Sequence, residues 1–331
     1  MSDNSVMIIA EAGVNHNGSV DLALKMIDKA YEAGADYIKF QTFKASSLVS
    51  CHAKKARYQV ANTKSDGTQL SMLEKLELSF DDFIRLKEHC EKVGIGFMST
   101  PFDLESALFL NDIGLEIFKV GSGDINNKIL LDKIASFKKE VILSTGMSDL
   151  YDIDKAMSVL EGCKVSLLHC TTEYPCPYES VNMQAMQTLK DRYDVTVGYS
   201  DHTRGLEIAF MAVAMGARII EKHFTLDRNM EGPDQISSLQ PDELKAMVLG
   251  IRHIQMAFGD GKKHIQQSEI ENIKVARKSL VASRDIKKGE LLSMNNICAK
   301  RPGSGISPMD IDKVLFSAAI RDFSKDDLIE I

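Results

Sequence analysis

The chain lacks tryptophan, has only six cysteines, and contains no long uninterrupted hydrophobic run among its 331 residues. The cysteines are widely spaced and form no Cys-x-x-Cys pair, which gives a zinc–cysteine site or a redox motif little support. No apolar stretch is long enough to cross a bilayer. The amino terminus carries neither a basic nor a long apolar segment, so we expect no secretory signal, reduced thiols and a cytoplasmic location.

A strong positive charge is also missing. The 40 Lys and Arg side chains are outnumbered by 47 Asp and Glu side chains, giving a net charge of −7. This balance excludes the overall basic field of a nucleic-acid-binding protein, although a local basic pocket for an anionic small molecule is compatible with it. Hydrophobic residues make up 44% of the chain, so we expect a folded protein.

Short β-like runs alternate with amphipathic helices along most of the chain. The first helix is predicted from the N-cap Ser19 to Gly34, with Leu22 and Met26 at helical spacing. Eight such units predict an α/β fold, a (β/α)8 TIM barrel over residues 1–260. An open doubly wound sheet is the alternative, but it rarely needs eight units, and no GxGxxG motif opens the first helix. The predicted strands are Val6–Gly13, Tyr37–Thr42, Ile95–Thr100, Glu116–Val120, Glu140–Thr145, Lys164–His169, Val195–Gly198 and Arg218–Lys222.

Two other parts of the chain depart from the alternation of β-like runs and helices. A polar insertion at 44–66 interrupts the barrel pattern. Beyond the predicted barrel, residues 261–274 are interpreted as a linker, and residues 275–331 consist of short β-like pieces with turns, among them Leu291–Ile297. The carboxyl end is therefore predicted to be a small, mostly β domain.

The predicted barrel strands end in polar side chains, and chemistry on such a barrel takes place at that rim. Lys39 and Lys119 lie within otherwise apolar strands, and a buried lysine is costly unless it meets an anion. This predicts a pocket for phosphate and carboxylate groups, completed by Ser and Thr hydroxyls. The alternative is that the two lysines form structural ion pairs with Glu11 or Asp124. The strand-end residues are Glu11, Lys39, Gln41, Ser99, Thr100, Lys119, Ser122, Asp124, Ser144, Thr145, 171–174, 200–202 and 221–223.

Two histidines, His202 and His223, follow adjacent predicted strands, so their side chains are expected to converge. Two neutral imidazoles with oxygen ligands suit a divalent transition metal that keeps open positions. Hydrogen-bonded core histidines are the alternative, and His169, inside the sixth strand, is interpreted in that way. Cys170 borders the rim, but no basic neighbour in the sequence supports a thiolate nucleophile.

Ten short motifs, in order along the chain, resemble those of the bacterial sialic acid synthases, the N-acetylneuraminate and legionaminate synthase group. Residues 275–331 likewise resemble the antifreeze-like (SAF) domain that these synthases carry. The motifs are GVNHNG at 13–18, KFQTF at 39–43, STPFD at 99–103, KVGSGD at 119–124, LSTGM at 143–147, LHCTTEYP at 168–175, SDHT at 200–203, EKHFTLD at 221–227, GPD at 232–234 and KRPG at 300–303.

The resemblance implies an enzyme that condenses phosphoenolpyruvate with an N-acylated mannosamine-type sugar, giving a nine-carbon 2-keto acid and phosphate. N-acetylmannosamine, which leads to N-acetylneuraminate, is the first expectation. The alternative sugar is 2,4-diacetamido-2,4,6-trideoxymannose, which leads to N,N'-diacetyllegionaminate. The resemblance also implies a divalent metal, manganese with magnesium or cobalt as alternatives, and a domain-swapped homodimer whose SAF domain caps the partner's barrel. No nucleic-acid or membrane partner is expected.

Matching motifs also imply roles for single residues. His202 and His223 are the expected metal ligands, and Glu11 is the expected acid/base residue near the attacking water. Asp124 stands where many members have Glu, and Thr172 where some have Asn, so the exact sugar stays open. The expected phosphoenolpyruvate contacts are Lys39, Thr100, Lys119, Ser122, Ser144 and Ser200. The expected sugar contacts are Gln41, Asp124, Tyr174, Asp234 and, from the other subunit, Arg301.

Two other functions are compatible with these residues. A Schiff-base aldolase acting with pyruvate would use Lys39, Lys119 or Lys222 as its imine-forming lysine, although it would need neither the paired histidines nor the second lysine. A binding protein whose barrel has lost its catalytic activity is the other alternative. The charged residues kept at so many strand ends argue against such a loss.

Overall fold

The computed structural model describes residues 5–55, 59–60 and 67–331. It divides the chain into two compact units, Met1–Phe258 and Gly259–Ile331. The predicted polar insertion falls partly on residues 56–58 and 61–66, which lie outside the described residues. Within the described ranges, no helix combines the length and the apolar character needed to span a membrane.

Eight parallel strands of the first unit form one sheet with the order β3-β2-β1-β8-β7-β6-β5-β4. Strands β3 and β4, at the two ends of this order, lie against each other, so the sheet curves into the predicted (β/α)8 barrel. All eight carboxyl ends therefore meet at one rim. The strands are β1 Met7–Gly13, β2 Tyr37–Thr42, β3 Gly96–Pro101, β4 Ile117–Val120, β5 Glu140–Ser144, β6 Val165–His169, β7 Thr196–Asp201 and β8 Ile219–His223.

Two predicted strands are too short. The predicted seventh strand ends at Gly198 and the eighth at Lys222, whereas β7 continues to Asp201 and β8 to His223. Ser200 and Asp201 still pair with their β8 neighbours in the parallel ladder. Backbone pairing carries the strand through polar residues, which a search for hydrophobic runs does not recognise as strand.

Helices follow the strands and pack on the outside of the barrel. The first begins after Ser19, whose hydroxyl accepts a hydrogen bond from the N–H of Leu22, and it ends at Gly34, which has a left-handed φ of 84°. Both ends are as predicted. Among the described residues of this unit, the α-helices with defined ends are α1 Val20–Ala33, α2 Ala45–Leu48, α3 Gln69–Leu76, α4 Phe80–Val93, α5 Leu104–Asp112, α6 Lys128–Ser136, α7 Leu150–Val159, α8 Gln184–Tyr193, α9 Glu207–Ala214 and α10 Pro241–Ala257.

The barrel interior is apolar at its floor and polar above it. Because side chains alternate along a strand, the residue two positions after each floor residue points into the same interior. Four of the five next residues are polar, the fifth being Cys170, and all lie nearer the carboxyl ends of the strands. The fold thus places a mostly polar cavity above an apolar layer of side chains. The floor residues are Ile9, Met98, Ile142, Leu168 and Ile219; the corresponding residues above them are Glu11, Thr100, Ser144, Cys170 and Glu221.

The second unit has its own small core. Its helix α11, Ile270–Ala276, is followed by strand β9, Ser279–Ala282, which pairs antiparallel with β10, Ile297–Lys300. The predicted β-like run Leu291–Ile297 is wrong as a strand, since in its first five residues only a single bridge forms, at Leu291. The core residues are Leu280, Ala282, Ile286, Leu292, Ile297, Val314, Ala319, Phe323 and Ile329.

Candidate active site

A cavity of about 400 Å³ lies within the barrel, above its apolar floor. It brings together side chains from strands and loops that are far apart in the sequence. Every expected phosphoenolpyruvate contact, both expected metal ligands and three of the five expected sugar contacts line it. The predicted residues in its wall are Glu11, Lys39, Gln41, Thr100, Lys119, Ser122, Ser144, Tyr174, Ser200, His202, His223 and Asp234.

The two buried lysines take part in one charge network with two carboxylates. Lys39 Nζ lies 2.6 Å from Glu11 Oε2 and 3.6 Å from Glu221 Oε2. Lys119 Nζ lies 3.7 Å from Glu221 Oε1 and donates a hydrogen bond of 2.7 Å to Ser144 Oγ. Structural ion pairing, the alternative interpretation of the lysines, is therefore present, with Glu11 as one partner. Its formal charges cancel, because two ammonium groups face two carboxylates.

Burial and pairing shift these groups in different directions. Burial lowers the pKa of Lys39, but the neighbouring carboxylates of Glu11 and Glu221 outweigh it and raise the pKa overall. For Lys119, burial dominates and lowers the pKa. Burial and the neighbouring Glu221 carboxylate raise the pKa of Glu11, although Lys39 acts in the opposite direction. Burial opposes ionisation of Glu221 too, but the two lysines lower the pKa of its carboxyl to about 2. Ionisation is thus favoured more strongly at Glu221 than at Glu11.

The two histidines meet in the cavity, as predicted, with ring centroids 5.6 Å apart. His202 Nδ1 donates to the carbonyl oxygen of Thr171 at 2.7 Å, so Nε2 carries the lone pair. The Ser200 hydroxyl lies 3.5 Å from Nε2 but donates its proton to Glu221, which leaves that lone pair available. His223 Nδ1 is buried and has no hydrogen-bond partner among the described residues. Burial lowers the pKa of both imidazoles, and the neighbouring His202 ring lowers the pKa of His223 further. Both rings are therefore neutral, the form that binds a metal.

These residues fit a divalent cation that keeps open positions. An unpartnered buried nitrogen on His223 is costly unless something occupies it. Within residues 5–55, 59–60 and 67–331, no group of three or more His, Cys, Asp or Glu is placed to hold an ion. Two imidazoles, His202 and His223, would thus be supplemented by water or substrate oxygens, which leaves the open coordination positions that a catalytic ion needs.

Glu11, near the carboxyl end of strand β1, is held in place by the residues around it. Its Oε1 accepts a hydrogen bond of 3.0 Å from Gln41 Nε2, and Oε2 faces Lys39. Gly13 has a φ of 52°, and a β-carbon there would lie 3.2 Å from both Glu11 Oε1 and Gln41 Nε2. Glycine at this position therefore leaves room for the Glu11–Gln41 contact.

Asp234 is buried in the cavity wall, in the loop after β8. Burial and the nearby Glu11 carboxyl raise its pKa to about 7. Its folded-state pKa therefore exceeds its unfolded value near 3.9, so the stability that this group contributes is complete below about pH 4 and is lost as the pH rises through 7.

We therefore expect Asp234→Asn, which cannot ionise, to escape this loss. As the pH rises from 5 to 8, the native chain should lose about 2–3 kcal/mol of its free energy of unfolding that the variant keeps. Urea unfolding of metal-free protein at both pH values measures the difference. Parallel pH dependence in the two proteins would contradict the assignment.

Three predicted residues lie elsewhere. Asp124 Oδ1 accepts a hydrogen bond of 2.9 Å from Asn127, and Asp124 is not part of the cavity wall. Arg301 belongs to the second unit, where it is exposed and its Nε donates to the carbonyl oxygen of Ala276. Lys222, named above as a candidate imine lysine, faces away from the cavity and pairs with Asp201 at 2.6 Å.

Sequence reasoning missed the importance of Glu221. The sequence places Glu221 among the strand-end residues but predicts no role for it, although its carboxylate lies beside both Lys39 and Lys119 and accepts a hydrogen bond of 2.9 Å from Ser200 Oγ. Its position two residues before His223 was the available signal, because such residues share one face of a strand.

Removing the charge of Lys119 tests the anion pocket. We expect Lys119→Met to raise the KM for the anionic substrate by about 10–100-fold, the effect of losing one charge-assisted hydrogen bond. The melting temperature should fall only modestly, because Glu221 keeps Lys39 as an ionic partner 3.6 Å away. The matched control is Lys164→Met, which removes an exposed partner of Glu140 far from the cavity and should leave KM unchanged. An unchanged KM in Lys119→Met would refute the pocket.

Comparison with known proteins places the chain in a family. The sequence model of the NeuB family matches residues 26–263, and that of the SAF domain matches residues 277–330. The chain is 53% identical to the N,N'-diacetyllegionaminic acid synthase of Campylobacter jejuni over 98% of each chain. It is 43% identical to the enzyme of the same name from Legionella pneumophila, over 96% of this chain and 91% of that one.

A crystal structure shows the same fold. The N-acetylneuraminic acid (sialic acid) synthetase of Leptospira borgpetersenii superposes with a TM-score of 0.72 at 39% identity, covering 82% of this chain and 90% of the other. The resemblance inferred from the ten motifs is thereby confirmed. The chain belongs to the NeuB family, the family of the sialic and legionaminic acid synthases that it matches, and it carries an SAF domain at its carboxyl end.

Proposed function

We propose that this synthase, a phosphoenolpyruvate-using enzyme that forms a carbon–carbon bond, takes 2,4-diacetamido-2,4,6-trideoxymannose as its sugar and makes N,N'-diacetyllegionaminate and phosphate. The observation that carries the choice of sugar is the 53% identity to the Campylobacter jejuni legionaminic acid synthase over nearly the whole of both chains. This is the alternative of the sequence analysis. N-acetylmannosamine, its first expectation, has weaker support, from a synthetase at 39% identity.

The phosphoenolpyruvate subsite is assigned to the lysine end of the cavity. Lys39 and Lys119 provide positive charge, and hydroxyl groups beside them provide hydrogen bonds: Thr100 Oγ1 lies 3.2 Å from Lys39 Nζ, and Ser144 Oγ lies 2.7 Å from Lys119 Nζ. A trianionic substrate would draw the lysines from Glu11 and Glu221. Its binding is therefore an exchange of ion partners, which lowers the cost of desolvating the ammonium groups. Ser122 and Ser200 complete the assigned subsite.

The neutral imidazoles of His202 and His223 would hold a divalent cation, manganese in the first instance. Such a cation supplies Lewis acidity at the sugar aldehyde when it is bound. The sugar contacts are assigned to the residues beside it, Gln41, Tyr174 and Asp234, which line the same cavity. Tyr174 lies next to both histidines, with ring-centroid distances of 4.2 Å to His202 and 5.5 Å to His223.

The proposed reaction balances without any further reagent. The enol carbon of phosphoenolpyruvate attacks the aldehyde carbon, which becomes a hydroxyl-bearing carbon after taking up a proton. Water adds to the cationic carbon C2 and gives up a proton to Glu11. The tetrahedral intermediate then breaks the bond between C2 and the bridging oxygen, and phosphate leaves with the second proton of the water while the 2-keto acid remains. The proton passed to Glu11 replaces the one taken up by the aldehyde oxygen. Lys39 and Lys119 stabilise the departing phosphate.

A direct comparison of the two sugars tests the proposal. Purified full-length protein is supplied with phosphoenolpyruvate, manganese and either sugar, and phosphate release is measured over a range of sugar concentrations. We expect kcat/KM for the diacetamido sugar to exceed that for N-acetylmannosamine by at least about 100-fold, the effect of a site built to hydrogen-bond a group that the other substrate lacks. A preference for N-acetylmannosamine would reverse the assignment of the sugar but not that of the family.

We further propose that the active enzyme is a homodimer in which Arg301 serves the partner's barrel. The proposal rests on the family resemblance. Mixing inactive Arg301→Ala chains with inactive His202→Ala chains should then restore activity, because some mixed sites receive both intact residues. Subunit exchange must be demonstrated independently. No recovery after proven exchange would show that Arg301 does not act across subunits.

A further inference from the structure

We propose that an ion pair on the outer face of the barrel wall, Asp201 with Lys222, is a positioning device for His202 and His223. The inference rests on the divalent cation site of the proposed function. It assigns a role to two residues that the reaction itself does not use. Lys222 is thereby interpreted as a positioning residue for the two histidines and not as an imine-forming lysine.

The placement of the pair follows from strand geometry. Asp201 and Lys222 are direct neighbours in the β7–β8 ladder. Successive side chains of a strand point to opposite faces, and the residues on either side of each, including His202 and His223, line the cavity. The pair therefore lies directly behind the two imidazoles, on the opposite side of the barrel wall.

The pair also fixes the backbone on both sides of His202. Lys222 Nζ lies 2.6 Å from Asp201 Oδ2 and donates to the carbonyl oxygen of Thr203 at 2.8 Å. Asp201 Oδ1 accepts hydrogen bonds of 2.8 Å from both the N–H and the hydroxyl of Thr203. The two residues that flank His202 are thus tied to each other and to β8, at the residue that precedes His223.

Complete burial distinguishes this pair from an ordinary stabilising contact. The side chains of Asp201 and Lys222 are 0% and 1% exposed. A buried ion pair usually adds little net stability compared with apolar residues, but a fully satisfied one has few alternative arrangements. The expected benefit is therefore a fixed geometry at the strand ends. Changing groups that orient metal ligands commonly weakens metal affinity about 10–100-fold.

The test measures manganese affinity rather than turnover. Full-length chains are stripped with chelator, and free Mn²⁺ is followed by electron paramagnetic resonance during titration. We expect Asp201→Asn and Lys222→Met to weaken Mn²⁺ binding about 10–100-fold. Thr203→Val, which removes only one hydroxyl donor, should weaken it less, and Thr203→Ser should restore the native affinity.

The matched control is another ion pair of the same barrel, Arg252 with Asp36, whose atoms lie 2.7 Å apart next to the start of β2, at the end opposite the cavity. Asp36→Asn should lower the melting temperature without changing Mn²⁺ affinity. Native affinity in folded Asp201→Asn and Lys222→Met would overturn the inference. If those variants do not fold, native affinity in Thr203→Val overturns it instead. A native chain that binds no Mn²⁺ would overturn both this inference and the metal site itself.

Discussion

His223→Ala is expected to lower kcat/KM by at least about 1,000-fold, because the chemistry assigned to the bound cation contributes several kcal/mol to the transition state. Removing the ring should cost little stability. The lost nitrogen, Nδ1, is buried without a hydrogen-bond partner in the described part of the chain, so the loss is limited to the packing of the ring against Tyr174 and His202. Phosphate release at saturating manganese and thermal unfolding of the same sample measure the two effects.

The control for this experiment is a histidine outside the cavity. His89 in α4 pairs with Asp28 in α1, with Nε2 and Oδ1 2.7 Å apart on the outside of the barrel. His89→Ala should keep native turnover and native Mn²⁺ affinity. A His223→Ala chain that retains manganese-dependent turnover would show that the imidazole does not hold the cation.

Glu11→Gln is expected to lower kcat by about 100- to 10,000-fold, the usual effect of losing a general acid or base. The KM for phosphoenolpyruvate should stay constant or fall. The reason is electrostatic, because the native carboxylate lies 2.6 Å from Lys39 and competes with the substrate for its charge. This opposite response of kcat and KM separates Glu11 from a residue that merely binds phosphate.

Glu11→Asp supplies the matching comparison. It keeps the charge but withdraws it by one methylene from Lys39 and Gln41, so we expect partial activity, between that of the native chain and Glu11→Gln. Steady-state rates at varied phosphoenolpyruvate concentration give both constants. A kcat for Glu11→Gln within about threefold of the native value would exclude Glu11 as the acid/base residue.

Much of the fold and the cavity was predictable from the sequence. Alternating β-like runs and helices gave the barrel, since each apolar run must be buried within one sheet. The two histidines were predictable because His202 and His223 follow consecutive strands, which are neighbours in a (β/α)8 sheet. Lys39 and Lys119 stood out because charged residues are rare in buried strands.

Other features depend on three-dimensional pairing that a linear pattern does not record. The continuation of β7 to Asp201 depends on backbone hydrogen bonds to β8, and the network around Glu221 depends on which side chains meet across the barrel. Asp124 follows a strand but hydrogen-bonds to Asn127 outside the cavity wall. Sequence motifs shared by synthases of different sugars likewise did not favour the diacetamido sugar, which the full-length similarity to a legionaminic acid synthase supports.

The fate of one oxygen atom tests the central claim most directly. Phosphoenolpyruvate labelled with ¹⁸O in the bridge between carbon and phosphorus is converted with manganese and the diacetamido sugar, and the released phosphate is analysed by mass spectrometry. Water attack at carbon and carbon–oxygen cleavage predict that the phosphate carries the label and that the keto acid forms in equal amount. Unlabelled phosphate, or product formed only from pyruvate, would contradict the proposed reaction.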